Sequence, residues 1–124
     1  MREFILLYFE VFHAVFLLLF IYVVPTGPPL ELRAIPSSDS AILTWRPPAE
    51  KDQNGVITGY LIKYHQSDNA SHQINKTVEN VTESSLLNLM TGLTYSFTVA
   101  AINSNGTGPD AAIVMFTTMS DSKI

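Results

Sequence analysis

The chain has 124 residues, which is enough for one ordinary domain, because about 100 residues bury enough apolar surface to fold without disulfides or metal ions. It has no cysteine, and its seven Lys and Arg against eleven Asp and Glu give a net charge of −4 at pH 7. Nucleic acid is therefore excluded as an expected partner, since phosphate binding needs clustered positive charge.

Residues 4–24 form an apolar stretch that is interrupted only by Glu10 and His13. As a helix it would be about 31 Å long, which matches the hydrocarbon core of a bilayer. A cleaved signal peptide and an uncleaved signal-anchor helix both fit, whereas a buried core helix is disfavoured because the stretch has no polar face. Because the basic residue Arg2 lies on its N-terminal side, both favoured interpretations place the rest of the chain across the membrane.

Each interpretation of the apolar stretch has a weakness. A signal peptide lacks a clean small-x-small cleavage site, for which Val24 and Thr26 are poor substitutes. An anchor would hold Glu10 and His13 inside the membrane, where an ionised side chain is costly. The two interpretations therefore remain open.

After the proline-rich residues 25–29, short β-rich segments recur with turn signals between them, a pattern typical of a sandwich or small barrel. In residues 95–101, the alternation puts the odd-numbered side chains on a packed face and turns Ser96 and Thr98 toward solvent. Asp52-Gln53-Asn54-Gly55 lacks the alternating ligands of a calcium loop, so we interpret it as a type I′ or related turn. The sequence predicts seven strands, at residues 30–35, 40–46, 57–65, 72–78, 84–90, 94–103 and 111–118.

At these residues the sequence resembles the fibronectin type III family. The resemblance covers about residues 27–118, and it implies an all-β, seven-stranded, immunoglobulin-like sandwich that is preceded here by an N-terminal hydrophobic helix. The features that carry it are Pro28-Pro29, Trp45 followed by Pro47-Pro48, the run NGVITGYLIKY from Asn54 to Tyr64, Leu89 six residues before Tyr95, and the run YSFTVAAINSNGTG from Tyr95 to Gly108.

The resemblance also implies roles for two aromatic residues. Trp45 is expected to pack between the sheets, and the hydroxyl of Tyr95 to bond with upstream backbone in a tyrosine corner. The family usually has Pro and Thr where this chain has Thr91 and Leu93, so we expect a less rigid turn there. A sandwich without a disulfide needs large core side chains, and we expect Trp45, Tyr60, Leu89, Tyr95, Phe97 and Val99 to supply them.

The expected organisation of the chain has four parts. Residues 1–24 are the signal peptide or signal-anchor helix, and residues 25–29 are a proline-rich linker. Residues 27–118 are the fibronectin type III domain, and residues 119–124 are a short polar tail.

Four Asn-x-Ser/Thr sequons follow the apolar stretch, and each is an N-glycosylation acceptor if it meets the lumenal enzyme. Seven Asn and 22 Ser or Thr occur from residue 25 onward, for which chance predicts roughly one or two sequons. The excess agrees with entry into the secretory pathway. The candidate glycosylation sites are Asn69, Asn75, Asn80 and Asn105.

The sequence offers no arrangement for catalysis, which would need a His near a Ser and a carboxylate. His13 lies in the apolar stretch, while His65 and His72 would face each other across a hairpin and lack a third metal ligand. We therefore expect a non-enzymatic protein with no catalytic residues, no cofactor and no metal site.

The resemblance points to repeats of cell-adhesion molecules and receptor-type tyrosine phosphatases. We expect an extracellular protein-binding or adhesion-type module, either secreted or anchored at the cell surface through residues 4–24. Its partner is an extracellular protein that the sequence does not identify. The alternative is a structural spacer repeat without its own ligand, from a short isoform or fragment of a larger cell-surface receptor.

Strands of alternating direction would place the two ends of the domain at opposite poles. Loops at residues 47–56, 79–83 and 104–110 would share the pole of the N-terminal end. If the apolar helix stays attached, contacts with a partner on another cell would favour the opposite pole or the face formed by the first, second and fifth strands.

Overall fold

The computed structural model describes residues 23–120. The expected signal peptide or signal-anchor helix lies outside these residues except for Val23 and Val24, and the expected tail is described only at Met119 and Ser120. Across this described range, no helix is long and apolar enough to cross a membrane.

Two antiparallel β-sheets form the fold, which confirms the predicted all-β sandwich. The strands in residues 23–120 are β1 (Leu30–Pro36), β2 (Ala41–Arg46), β3 (Ile57–Gln66), β4 (Ile74–Glu79), β5 (Glu83–Leu86), β6 (Thr94–Asn103), β7 (Gly106–Asp110) and β8 (Val114–Thr117). One sheet has the strand order β1-β2-β5, and the other has the order β4-β3-β6-β7, with β8 also paired to β6. Short 3-10 helices, Glu50–Asp52 and Ala70–His72, interrupt two of the loops.

The core lies between the inner faces of the two sheets. In β2 the alternation of the sequence buries Ala41, Leu43 and Trp45 and exposes the residues between them more. Phe116 of β8 stacks on Tyr95 with 5.7 Å between ring centroids. All six side chains expected in the core are buried: Trp45, Tyr60, Leu89, Tyr95, Phe97 and Val99.

The outer face of β6 differs from the sequence expectation. Ser96 and Thr98, expected to face solvent, are only 6% and 8% exposed. Larger side chains of β3 and β8 pair with them in register on this face and shield the two small residues from solvent. The Ser96 hydroxyl lies 2.7 Å from that of Ser67, and Thr98 Oγ1 donates to the Ala111 carbonyl at 2.6 Å, so both groups are satisfied without water.

Two predicted strands were wrong in extent. The predicted strand at residues 84–90 ends at Leu86, because Asn88 has a φ of 57° and extended backbone cannot pass through that conformation. The predicted strand at residues 111–118 is shortened to β8, and β7 is an additional strand that lies in the predicted loop at residues 104–110. The described residues therefore have eight strands where seven were predicted. Between β7 and β8, the Thr98 hydroxyl donates to the Ala111 carbonyl.

The loops gather at two poles, and the described ends of the chain lie at opposite ones. At the N-terminal pole, Asn103 bonds to Val23, and the β2–β3 loop lies beside Asn80. At the C-terminal pole, the Met119 N–H donates to Ser37 O at 2.8 Å. The β1–β2, β3–β4 and β5–β6 loops therefore share the C-terminal pole.

The turn before β3 has the backbone that its sequence indicates. Asn54 and Gly55 both have positive φ, 53° and 119°, as the two central residues of a type I′ turn do. The residues expected to form a proline-rich linker are packed onto this turn and its neighbours, with Pro25, Gly27 and Pro29 all buried.

Candidate interaction surface

A groove of about 460 Å³ opens at the C-terminal pole between the edges of the two sheets. Tyr64 and Ile74 line it from the five-stranded sheet, and Leu87 and Met90 line it from the segment after β5. Ile74, Leu87 and Met90 are 51%, 65% and 60% exposed. Large apolar side chains are therefore exposed to solvent at one place, which we call the C-terminal groove.

The C-terminal groove is poor in charged side chains. Its lining contains no Asp, Glu, Lys or Arg. Burial, with a smaller contribution from Tyr95, raises the pKa of Tyr64 above the usual value for tyrosine, so its hydroxyl stays neutral. An uncharged, apolar ligand surface fits this lining better than a charged one.

The two histidines of the described chain both line this groove. His65 Nδ1 lies 2.6 Å from the Gln66 carbonyl, and His72 Nδ1 lies 3.0 Å from Asn69 Oδ1, so each ring bonds to a residue close to it in the sequence. Within residues 23–120, no group of three or more His, Cys, Asp or Glu side chains is placed to hold a metal ion. What this arrangement offers is contact surface.

A smaller cleft of about 300 Å³ lies at the N-terminal pole between the β2–β3 loop and Asn80. Tyr60 lines it and is fully buried. Its hydroxyl and the Trp45 Nε1 are buried and have no hydrogen-bond partner among the described residues. Burial raises the pKa of Tyr60.

The four sequons are distributed over both poles and one sheet edge. Asn69 lines the C-terminal groove, and Asn80 lines the cleft at the other pole. Asn75 is exposed on β4, an edge strand, opposite Lys63 of β3. Asn105 lies between β6 and β7, where its N–H donates to Asn103 Oδ1 at 2.9 Å.

Sequence reasoning missed two buried polar residues. Asn103, 3% exposed, ends β6, and Thr118, 2% exposed, follows β8. Each bonds to several backbone groups of other loops. The only signal that they leave in the sequence is a polar residue at or just after the end of an apolar strand, and residues that begin surface loops share it.

Comparison with known proteins gives a family for this fold. The family model described as "Fibronectin type III domain" matches residues 27–117. Neogenin of Rattus norvegicus is 40% identical over 89 residues, covering 69% of this chain and 6% of neogenin. "Cell adhesion molecule DSCAM" of Mus musculus is 37% identical over 103 residues, covering 78% of this chain and 5% of DSCAM. The chain thus spans about a twentieth of the length of these relatives.

A solved structure agrees with the sequence relatives. The third fibronectin III domain of human KIAA0343 protein superposes with a TM-score of 0.70 at 25% identity, covering 82% of this chain and 88% of that one. The family match, the relatives and the sandwich topology coincide over the same residues. The chain belongs to the fibronectin type III domain family.

Proposed function

We propose that this chain is an extracellular, adhesion-type protein-binding module whose contact surface is the C-terminal groove. The fibronectin type III domain is a non-catalytic module, so the activity to explain is binding. The observation that carries the proposal is the exposure of Ile74, Leu87 and Met90 around one groove whose lining has no Asp, Glu, Lys or Arg. Similarity to repeats of neogenin and DSCAM supports it.

The proposed partner is an extracellular protein that offers an uncharged, apolar segment. An apolar contact of this kind gains affinity from buried area, and a charge placed inside it must be desolvated without a counter-ion. The compartment is supported by the apolar stretch of residues 4–24 and by the four sequons. If the stretch anchors the chain, the C-terminal pole faces away from the membrane.

The binding test displays the full chain on cells and measures its association with partner-bearing cells. Leu87→Asp and Met90→Asp are expected to weaken association at least tenfold. Ile113→Asp is the matched control, because Ile113 is 66% exposed but lies outside this groove. Equal binding by all variants would contradict the proposed surface.

The second candidate function is a structural spacer, which the opposite positions of the described chain ends favour. A spacer would show no association above background in the unchanged chain.

A separate measurement tests the compartment, namely glycan mapping with Asn75→Gln and Asn80→Gln in sealed microsomes. Digestion of the domain by protease added outside the microsomes would overturn the extracellular proposal.

A further inference from the structure

Residues 23–27, which we call the docked segment, are seated against the loops of the N-terminal pole. Pro25 is fully buried, and Gly27 is buried as well. The Thr26 N–H donates to Asp52 O at 2.8 Å. The docked segment therefore contributes both buried surface and a backbone bond to the fold.

Asn103 ties the docked segment to the sandwich. Its Nδ2 lies 3.0 Å from Val23 O, 3.2 Å from Gln53 O and 3.1 Å from Asn54 O. Three carbonyl groups from two separate parts of the chain thus converge on one buried amide. Val23 supplies one of the three acceptors, so its removal would break the bond from Asn103 to the docked segment and leave only the two carbonyls of the β2–β3 loop.

A second asparagine holds the next residues. Asn54, in its positive-φ conformation, directs Nδ2 to Val24 O at 2.9 Å and to Thr26 Oγ1 at 3.4 Å. The turn before β3 therefore binds the docked segment through its side chain as well as its backbone.

Two glycines make room for the docked segment. A Cβ on Gly108 would lie 2.6 Å from Pro25 O and 2.8 Å from Pro25 Cβ, closer than such atoms approach. A Cβ on Gly27 would lie 2.8 Å from Asp52 Cβ. The contact surfaces on both sides are thus fitted to each other without spare space.

We propose that residues 23–27 stay on the mature module, so that any cleavage removing the apolar stretch falls before Val23. Cleavage after Val24 would remove the Val23 and Val24 carbonyls to which Asn103 and Asn54 donate. Cleavage after Thr26 would also remove the buried Pro25 and the Thr26 N–H that bonds to Asp52. The processing part of this inference rests on the proposed secretory location. The inference also changes the expected geometry: an anchored chain has no free linker, and the N-terminal pole lies directly at the bilayer surface.

Hydrogen exchange on the full chain in detergent tests the docking, with the Thr26 amide as reporter. The unchanged chain is expected to protect this amide. Gly108→Ala, whose new methyl group meets Pro25, should speed its exchange about tenfold or more while the β3–β6 amides stay protected. Ser104→Ala, an exposed change in the β6–β7 turn, is the control and should leave the exchange unchanged.

Asn103→Ala provides a second release of the docked segment, with loss of Thr26 protection expected again. Rapid Thr26 exchange in the unchanged chain, or equal protection in Gly108→Ala, would overturn the docking.

The mature N-terminus tests the processing. The full chain is expressed with a C-terminal tag in secretory cells and its first residue is read by mass spectrometry. A start at Val23 or earlier, including intact Met1, supports the inference, and a start at Val24 or any later residue overturns it. If the chain fails to enter the secretory pathway, the microsome experiment fails alone, and hydrogen exchange still decides whether the segment is docked.

Discussion

Trp45 and Tyr60 meet edge to face in the core, with 5.3 Å between their ring centroids. Both are buried, and neither Trp45 Nε1 nor the Tyr60 hydroxyl has a hydrogen-bond partner in the described part of the chain. A buried polar group without a partner costs about 1–3 kcal/mol. The pair therefore stabilises the fold through buried area and ring contact.

Replacing Trp45 by Ala should lower the free energy of unfolding by about 3–5 kcal/mol, because it leaves a cavity between the sheets. Against a total of about 5–15 kcal/mol, this loss is enough to threaten folding. Denaturant unfolding followed by circular dichroism measures it. Val56→Ala, at a residue 78% exposed, is the control, and an unchanged midpoint in Trp45→Ala would refute the core role.

Tyr60→Phe should raise the free energy of unfolding by about 1 kcal/mol, since it removes a buried hydroxyl that lacks a partner. Tyr95→Phe is the matched comparison and should lower it by about 1–2 kcal/mol, because the Tyr95 hydroxyl accepts the Met90 N–H at 2.8 Å. Urea midpoints separate the two. Equal destabilisation by both changes would contradict the assignment.

The stability of the domain should fall at alkaline pH. Burial raises the pKa of Tyr60 and of Tyr64 in the folded chain, whereas tyrosine in the unfolded chain loses its proton near pH 10. Above that pH the unfolded state binds fewer protons, so this stabilisation is complete below pH 10 and is lost as the pH rises. Urea midpoints between pH 8 and 11.5 should decline less in Tyr60→Phe than in the unchanged chain.

At the scale of elements, the β5–β6 turn shows how contacts brace a segment whose own sequence is permissive. Thr91 and Leu93 stand where the family usually has Pro and Thr, yet Thr91 Oγ1 donates to Ser38 O at 2.8 Å. The Leu93 N–H donates to Thr118 Oγ1 at 3.0 Å, and Thr118 Oγ1 donates to Met90 O at 2.7 Å. The segment after β8 thus fastens the turn from outside.

Thr118→Val keeps the shape of the side chain and removes these bonds, so it should destabilise the domain by about 1–3 kcal/mol. Thermal or urea unfolding measures the change. Thr117→Val, at an exposed position, should stay within about 0.5 kcal/mol. A Thr118→Val chain as stable as the Thr117→Val chain would show that the brace is dispensable.

These elements also show what the sequence could predict. Period-two alternation located most of the strands, because one face of each is packed, and it placed Leu43 beside Trp45. It could not place the gap between β7 and β8, where Ala111 bonds to Thr98 and Val99 of β6 and not to a ladder partner of its own strand. The groove was equally hidden, since Ile74 and Leu87 meet there from different sheets. From the sequence, the docked segment was expected to be a linker. The bond that holds it could not be foreseen, because Asn103 lies 80 residues further along the chain than Val23.

At the scale of the whole molecule, two strand edges lie open side by side. The sheets end at β4 and β5, and Lys76 of β4 spans between them, with Nζ 2.8 Å from Ser85 O. Lys76 pairs in register with the buried Ile62, so it is an inward-pointing charge on an edge strand. Such charges oppose edge-to-edge pairing of β-sheet proteins.

Lys76→Ile should therefore promote self-association, because it removes the charge and frees an edge carbonyl. Sedimentation or light scattering against the unchanged chain measures the effect. Lys51→Ile is the control, because its side chain is exposed on the 3-10 helix Glu50–Asp52, which belongs to neither sheet. Equal association of both variants would assign the effect to added apolar surface alone.

The docked segment has a mechanical consequence. A pull along the molecule enters at Val23 at one pole and leaves beyond Met119 at the other. The load first meets the few bonds of residues 23–27, before it reaches the longer β3–β6 ladder. Peeling five residues away would release about 17 Å of slack. We expect the module to give way first by this short reversible extension, with both sheets intact behind it.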